Sequence, residues 1–422
     1  MTKLNLNNRE YILYLEPYVY INKDERSAIL YNTLSGTKLF VNDCEVLKLI
    51  RKLQLSSNIY VVKIRGDKIR KNKEILNFIE EIRTTFMGNL IIKKEKGKKP
   101  IQLMPILNNY KDIKKIKKES VSSVGEKVLE YLNEISIYVN NECSKNCDIC
   151  KYAYKQIKFC TKSKKKDEIN FDLLKSALSD ISKSNLSIIN ILGGNIFSYG
   201  KLIELSNILR EIKAVKNIYI HYLNLFDDIE KIKILDDMNI KILISSDIDK
   251  YRISEINNYM VKIKVNKEYI FAVTDEEDFN TAQKLIAELH IDVYSFNPVY
   301  NETNIDFFNE NIFIDSNDLE NVKLSMKNIF AKNSMNTNNF GKLIIKENGK
   351  IYSNLNGKNL GELEKDTIKD IIYQDLKAKN SYWLKSRVNV KPCKNCLNNF
   401  LCPPLSNYEY AMKKNNLCKI VN

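Results

Sequence analysis

Between residues 130 and 300 the sequence alternates short β-branched apolar runs with segments of helical period, and no other feature restricts the fold so tightly. Runs at 135–139, 186–192, 218–223, 240–245, 261–265, 270–273 and 293–296 read as strands. Segments at 171–183, 202–212, 229–238 and 281–289 bring apolar side chains back every three or four residues, as a helix packed on one side requires. Parallel strands cannot be joined by a tight turn and need a crossover, most often a helix. The alternation therefore predicts an α/β fold, and roughly six repeats predict a partial (β/α)6 barrel. In such folds the loops at the C-terminal ends of the strands carry the chemistry.

The loop leaving the first of these strands reads CSKNCDIC and holds Cys143, Cys147 and Cys150. Three thiolates at that spacing can grip three irons of a [4Fe–4S] cube and leave the fourth iron open to a small molecule. Zinc or a closed cluster is the alternative, with Cys160 as a fourth ligand ten residues on. A second knot, Cys393, Cys396, Cys402 and Cys418, offers four thiolates, enough for one closed cluster or a structural zinc. Only two histidines exist, so metal chemistry here rests on sulfur, which selects zinc or iron–sulfur clusters. Cys44, outside both knots, reads as a buried small hydrophobe.

A chain of 422 residues exceeds one ordinary core, and composition divides it. Residues 1–92 read as a winged-helix-like module, with short strands at 27–30, 37–41 and 59–64, a helix from Asn42 or Asp43 and a second over 72–86. Residues 93–128 read as a lysine-rich linker, 129–310 as the barrel, and 311–422 as a small cysteine-rich domain. Within the last, Asn348-Gly349 between two apolar runs predicts a hairpin with a type I′ turn. No run approaches the ~18–20 apolar residues of a membrane span, and the first residues lack the pattern of a signal peptide. A cytoplasmic location without a membrane partner is expected. The formal net charge of +15 favours anionic partners, but its lysine runs (93–99, 111–118, 162–166) fall in predicted linkers and loops. Nucleic acid is therefore not the expected partner.

The cysteine loop, the βα alternation, Gly193-Gly194 at the end of the second strand and the C-terminal cysteines together resemble the radical S-adenosylmethionine enzymes. The C-terminal part is similar to the SPASM/twitch extension of peptide maturases. Tyr154-Lys155-Gln156 with Cys160, the run ILGGNIF at 191–197 and CPPLSNYE at 402–409 resemble a clade associated with ribosomally made peptides, which includes pseudo-radical-SAM proteins. The N-terminal module is similar to a leader-peptide recognition element.

The resemblance implies that Cys143, Cys147 and Cys150 hold an open [4Fe–4S] cluster whose free iron chelates S-adenosylmethionine. Reductive cleavage would then give a 5′-deoxyadenosyl radical. Gly193, Gly194 and Asn195 would meet the methionine part of the cofactor, and Ser245, Ser246 or Asp247 its ribose or carboxylate. Cys393, Cys396, Cys402 and Cys418 would hold one auxiliary cluster, and Cys160 is a candidate hydrogen donor. Expected partners are a precursor peptide with its leader, a reductant such as flavodoxin or ferredoxin, and a partner maturase. The reaction would make a thioether or carbon–carbon cross-link, or an epimerised residue. Two departures weaken the cofactor site: Ile149 stands where the family has an aromatic residue, and Asn195 where it has a carboxylate. A catalytically silent homologue that escorts the peptide, and a radical enzyme acting on RNA, are the alternatives.

Overall fold

The computed structural model describes residues 6–94, 108–118, 125–145, 147–182 and 184–420. Six strands lie in the N-terminal module: β1 (Glu10–Leu15), β2 (Val19–Lys23), β3 (Ala28–Asn32), β4 (Lys38–Val41), β5 (Val61–Arg65) and β6 (Gly88–Ile92). They form two three-stranded antiparallel sheets, ordered β5-β1-β6 and β2-β3-β4. The helix Cys44–Leu53 starts where expected, because Asp43 accepts the backbone N–H groups of Glu45 and Val46 and satisfies its first turn. Helix Lys73–Thr84 is capped in the same way by Asn72. Cys44 is exposed rather than buried, since the helix turns Val46, Leu47, Leu49 and Ile50 inward and its first residue outward.

The third and largest sheet holds β7 (Glu134–Tyr138), β8 (Ile188–Leu192), β9 (Val215–His221), β10 (Asn239–Ile244), β11 (Lys267–Val273), β12 (Tyr294–Pro298), β13 (Lys342–Ile345), β14 (Lys350–Tyr352) and β15 (Gly361–Glu362). Strands β7 to β12 are parallel and stand side by side in sequence order, each reached from the last through helical crossover chain. The crossover helices pack on one face of the sheet, in the main core. Side chains alternate accordingly. Ile135, Ile137, Ile189, Ile191, Ile218, Ile220, Ile240 and Ile242 join the core under the helices. Tyr138, Leu192, Tyr219, Leu243 and Ile270 point to the other face, where Cys150, Phe159 and Cys160 cover them.

Three expectations are corrected. Residues 261–265 alternate Val-Lys-Ile-Lys-Val like a strand but mostly finish the helix Lys250–Ile263, which buries Ile253, Ile256 and Met260 at helical spacing. The stretch expected as linker contains a helix, Asn108–Lys118, whose Ile113 and Ile116 enter the main core; residues 95–107 and 119–124 lie outside the described residues. The hairpin between β13 and β14 is present, but Asn348 does not adopt a positive φ. Gly349 alone does (φ 75°) while its N–H bonds Lys346 O, a turn closed by a glycine bulge rather than type I′. That hairpin also belongs to the main sheet, because β13 pairs in parallel with β7.

The N-terminal module is docked, not tethered. Phe400, fully buried, packs against the rings of Tyr20 and Tyr31 at 4.9 and 5.4 Å, and Asn22 Nδ2 donates to Leu397 O at 2.8 Å. Tyr31 OH accepts from Leu324 N–H at 2.9 Å. The seat of the module is thus the segment that carries Cys396 and Cys402.

Candidate functional site

The C-terminal ends of β7 to β10 gather one set of side chains. The loop after β7 brings Cys143 and Cys147, then turns into the short helix Cys150–Ala153. The sulfurs of Cys150 and Cys160 lie 3.5 Å apart, both buried against the face of the sheet opposite the main core. Cys147 Sγ lies 3.5 Å from Nε2 of His221, the last residue of β9, and that nitrogen is 3.1 Å from Ser245 Oγ, just beyond β10. Asn224 Nδ2 donates to Gly194 O at 3.3 Å and to Cys143 Sγ at 3.7 Å. The structure therefore brings Cys143, Cys147, Cys150, Cys160 and Gly194 together. Ser246 is exposed to solvent, and Ser245 is the serine turned into the site.

The two glycines are needed for a closer reason than contact with a ligand. A Cβ on Gly194 would stand 2.2 Å from Glu142 O, and one on Gly193 2.5 Å from Asn140 Oδ1. The β8 turn and the cysteine loop are pressed backbone to backbone, joined by Asn195 N–H to Glu142 O at 2.6 Å. The Asn195 side chain accepts the N–H of Phe197 at 3.1 Å and caps a single turn, Ile196–Ser198.

Hydrogen bonding with Cys150 and burial push the Cys147 thiol up to about 12, against the pull of His221. For Cys150 the bond to Cys147 lowers the pKa, but the bond to Cys160 and burial outweigh it and the thiol is raised. Both are protonated until a metal displaces the protons. Nearby, burial lowers the ammonium of Lys346, which lies 4.1 Å over the Tyr138 ring and 2.9 Å from Glu347.

Among the described residues no three His, Cys, Asp or Glu side chains converge on a single ion. A cube asks for something else, one thiolate at each of three corners, so its ligands stand apart. Three thiols on one loop, two of them faced by nitrogen groups of His221 and Asn224, are a donor set that fits it. His221 and Asn224 were invisible to a search for metal-ligand spacing. Their signal was positional: polar residues three apart directly after a strand in a βα repeat.

The short cysteine helix is fixed on two sides. Gln156 exchanges hydrogen bonds with both backbone groups of Tyr300 (2.7 and 2.8 Å), while Asn356 and Asn407 donate to Lys155 O and Gln156 O. Beside it opens a cavity of about 690 Å³, whose walls include Lys151, Tyr152, Tyr300, Tyr382, Lys385 and Tyr410.

Of the C-terminal cysteines, Cys393 and Cys402 are buried and Cys396 and Cys418 half-buried. Burial first, then the neighbouring thiols of Cys396, Cys418 and Cys393, push Cys402 up to about 12 against the pull of Arg387. Arg387 is buried and forms a two-pronged pair with Glu409 (2.8 and 3.3 Å) while its Nη1 reaches Cys393 Sγ at 3.5 Å. Cys418 Sγ accepts the N–H of Ile420 at 3.2 Å. No helix among the described residues is long and apolar enough to cross a membrane.

No family model matches the chain, and no curated protein matches it. Among solved structures it is similar to Streptococcus suis SuiB bound to precursor peptide SuiA, at 15% identity over 96% of this chain and 98% of that one, with a TM-score of 0.50. The same protein bound to S-adenosylmethionine is similar at 14% identity over 96% and 97%, with a TM-score of 0.49. At this identity the first likeness is one of fold, and in this chain a large, mostly parallel sheet is its centre.

Proposed function

We propose that the chain is a cytoplasmic radical S-adenosylmethionine enzyme that modifies a ribosomally synthesised precursor peptide, forming a thioether or carbon–carbon cross-link or an epimerised residue. The observation that carries this reading is the gathering of Cys143, Cys147 and Cys150 on one loop at the C-terminal end of β7, pressed against Gly193-Gly194 from β8. Support for the substrate class comes from the shared fold with SuiB, which has been seen with a precursor peptide.

In this account Cys143, Cys147 and Cys150 hold an open [4Fe–4S] cluster, and Gly193, Gly194, Asn195 and Ser245 line the S-adenosylmethionine site. When bound, the cluster and S-adenosylmethionine supply reductive cleavage and a 5′-deoxyadenosyl radical that takes a hydrogen atom from substrate. The chain's own part is to orient and to exclude water. The face of β7 to β11 opposite the main core, capped by Phe159 and buried Cys160, is dry, and it keeps a reactive species from solvent. Cys393, Cys396, Cys402 and Cys418 hold an auxiliary cluster. The strands curl as a partial barrel, and the N-terminal winged-helix-like module takes the peptide leader as an added strand. The outer edge of β6, which pairs with no further strand among the described residues and leaves Ile91 and Ile92 exposed, suits that role. Electrons come from a flavodoxin- or ferredoxin-type reductant.

One observation favours a second reading, a silent homologue that escorts the peptide to a partner maturase. Asn195 brings no charge to the cofactor, and its side-chain oxygen already accepts the N–H of Phe197. Anaerobic reconstitution followed by dithionite and S-adenosylmethionine separates the two. The enzyme reading expects 5′-deoxyadenosine that disappears in Cys147→Ala; none from the wild-type chain, with or without peptide, supports the escort.

A further inference from the structure

We infer that the short helix Tyr222–Asp227 and the histidine that caps it form a clamp on the cysteine loop, donating N–H bonds to two of its three cluster-binding thiolates. This rests on the cluster reading above and adds to it a set of residues that hold the loop and tune its metal. His221, Asn224 and Asp227 are spaced by three and share one helical face. Each meets a different part of the loop: His221 meets Cys147, Asn224 meets Cys143, and Asp227 pairs with Lys145 between them.

The direction of the hydrogen bonds follows from what each atom must already do. His221 Nδ1 accepts the N–H of Leu223 at 3.4 Å, so in the neutral ring the proton is on Nε2. That N–H faces Cys147 Sγ at 3.5 Å and Ser245 Oγ at 3.1 Å. A hydroxyl can turn from acceptor to donor, whereas a cluster-binding thiolate can only accept, so in the His221–Cys147 pair the ring N–H is the donor. The amide of Asn224 is oriented in the same manner. Gly194 O can only accept, which fixes Nδ2 on that side, 3.7 Å from Cys143 Sγ, with one hydrogen for each partner.

Both side chains are 1% exposed, so water does not compete for these bonds. N–H bonds to the sulfurs stabilise the more negative, reduced form of a cluster and raise its reduction potential. The clamp thus makes the cluster easier to reduce than the bare loop would.

The test uses full-length protein reconstituted anaerobically with iron and sulfide, as wild type, His221→Ala, His221→Gln, Asn224→Leu and Asn224→Asp. Iron content, melting temperature and the potential of the reduced-cluster electron paramagnetic resonance signal are recorded for each. The expected result is a more negative potential in His221→Ala and Asn224→Leu, and a larger shift in Asn224→Asp, which replaces a donor by a charge of the same shape. His221→Gln, which keeps an N–H, recovers part of the loss. His221→Ala that melts normally but no longer retains iron at Cys143–Cys150 also supports the clamp; if it fails to fold, the isosteric Asn224→Asp decides. Variants with wild-type iron and wild-type potential overturn the clamp. A wild-type chain that takes up no iron overturns the cluster reading itself, a different failure.

Discussion

Asp375 gives a sharp test of the packing beneath the main sheet. It lies near the C-terminal end of helix Ile368–Lys377, is 6% exposed and accepts a hydrogen bond from Ser381 Oγ at 2.8 Å. A carboxylate there is desolvated, and it is close to the negative end of its own helix. Burial pushes its pKa from 3.8 up to about 6, with the Ser381 bond opposing. The folded chain therefore holds this proton to higher pH than the unfolded chain does. Stability falls as pH rises from about 4 to about 6 and is level beyond, the reverse of an ion-paired carboxylate. At about 1.4 kcal/mol per pH unit, a displacement of this size costs about 3 kcal/mol at pH 7.

Asp375→Asn keeps an oxygen for Ser381 and removes the charge. It is expected to stabilise the surrounding region by about 2–3 kcal/mol at pH 7, by about half as much at pH 5 and by little at pH 4. The single tryptophan, Trp383, is a built-in reporter, fully buried with its backbone N–H 3.2 Å from Ser381 Oγ. Urea unfolding followed by its fluorescence at the three pH values reads the effect. A variant no more stable than wild type at pH 7, or a gain that is the same at pH 4 and pH 7, would refute the reasoning.

Three other perturbations probe the sites. Gly194→Ala places a methyl 2.2 Å from Glu142 O, so the cysteine loop must move; iron uptake by Cys143–Cys150 should be lost while circular dichroism is unchanged. Glu409→Gln strands the buried charge of Arg387 and should lower the hydrogen-exchange stability of residues 393–417 by about 3–5 kcal/mol. Replacing both partners by apolar residues should recover part of that loss. Phe400→Ala removes the ring that Tyr20 and Tyr31 pack against, at a cost of about 3–5 kcal/mol, and should speed exchange in β2 and β3 before any change in β7 to β12.

What could be read from the sequence was what is written in local periodicity. The strands β7 to β11 lie within a few residues of the runs that predict them, because each buries alternate faces and each is bracketed by an amphipathic helix. Asp43 announced its helix because capping is a contact of two or three residues, whereas the helix after Asn72 was legible from its apolar spacing. Residues 261–265 misled because alternating lysines there mimic a strand, whereas Ile256 and Met260, four apart, carry the helical period through. Contacts across the chain left no local mark. The hydrogen bond from Asn22 to Leu397 spans 375 positions, and nothing in either neighbourhood encodes the other. Of the site, the thiols were legible by spacing, and Gly193-Gly194 only through the family resemblance. The reason for those glycines was not, since it lies in the backbone of Asn140–Glu142 rather than in a ligand. His221 and Asn224 act through the loop they touch, and that relation exists only once β9 stands beside β8.

The central claim is that Cys143, Cys147 and Cys150 hold a cluster with one iron free to bind S-adenosylmethionine. Mössbauer spectroscopy of protein reconstituted with iron-57, before and after S-adenosylmethionine is added, tests it most directly. The account predicts that one iron site changes on addition, and that Cys143→Ala/Cys147→Ala/Cys150→Ala abolishes this change while iron at Cys393–Cys418 remains. A spectrum indifferent to S-adenosylmethionine, or a triple variant that keeps all its iron, would contradict it.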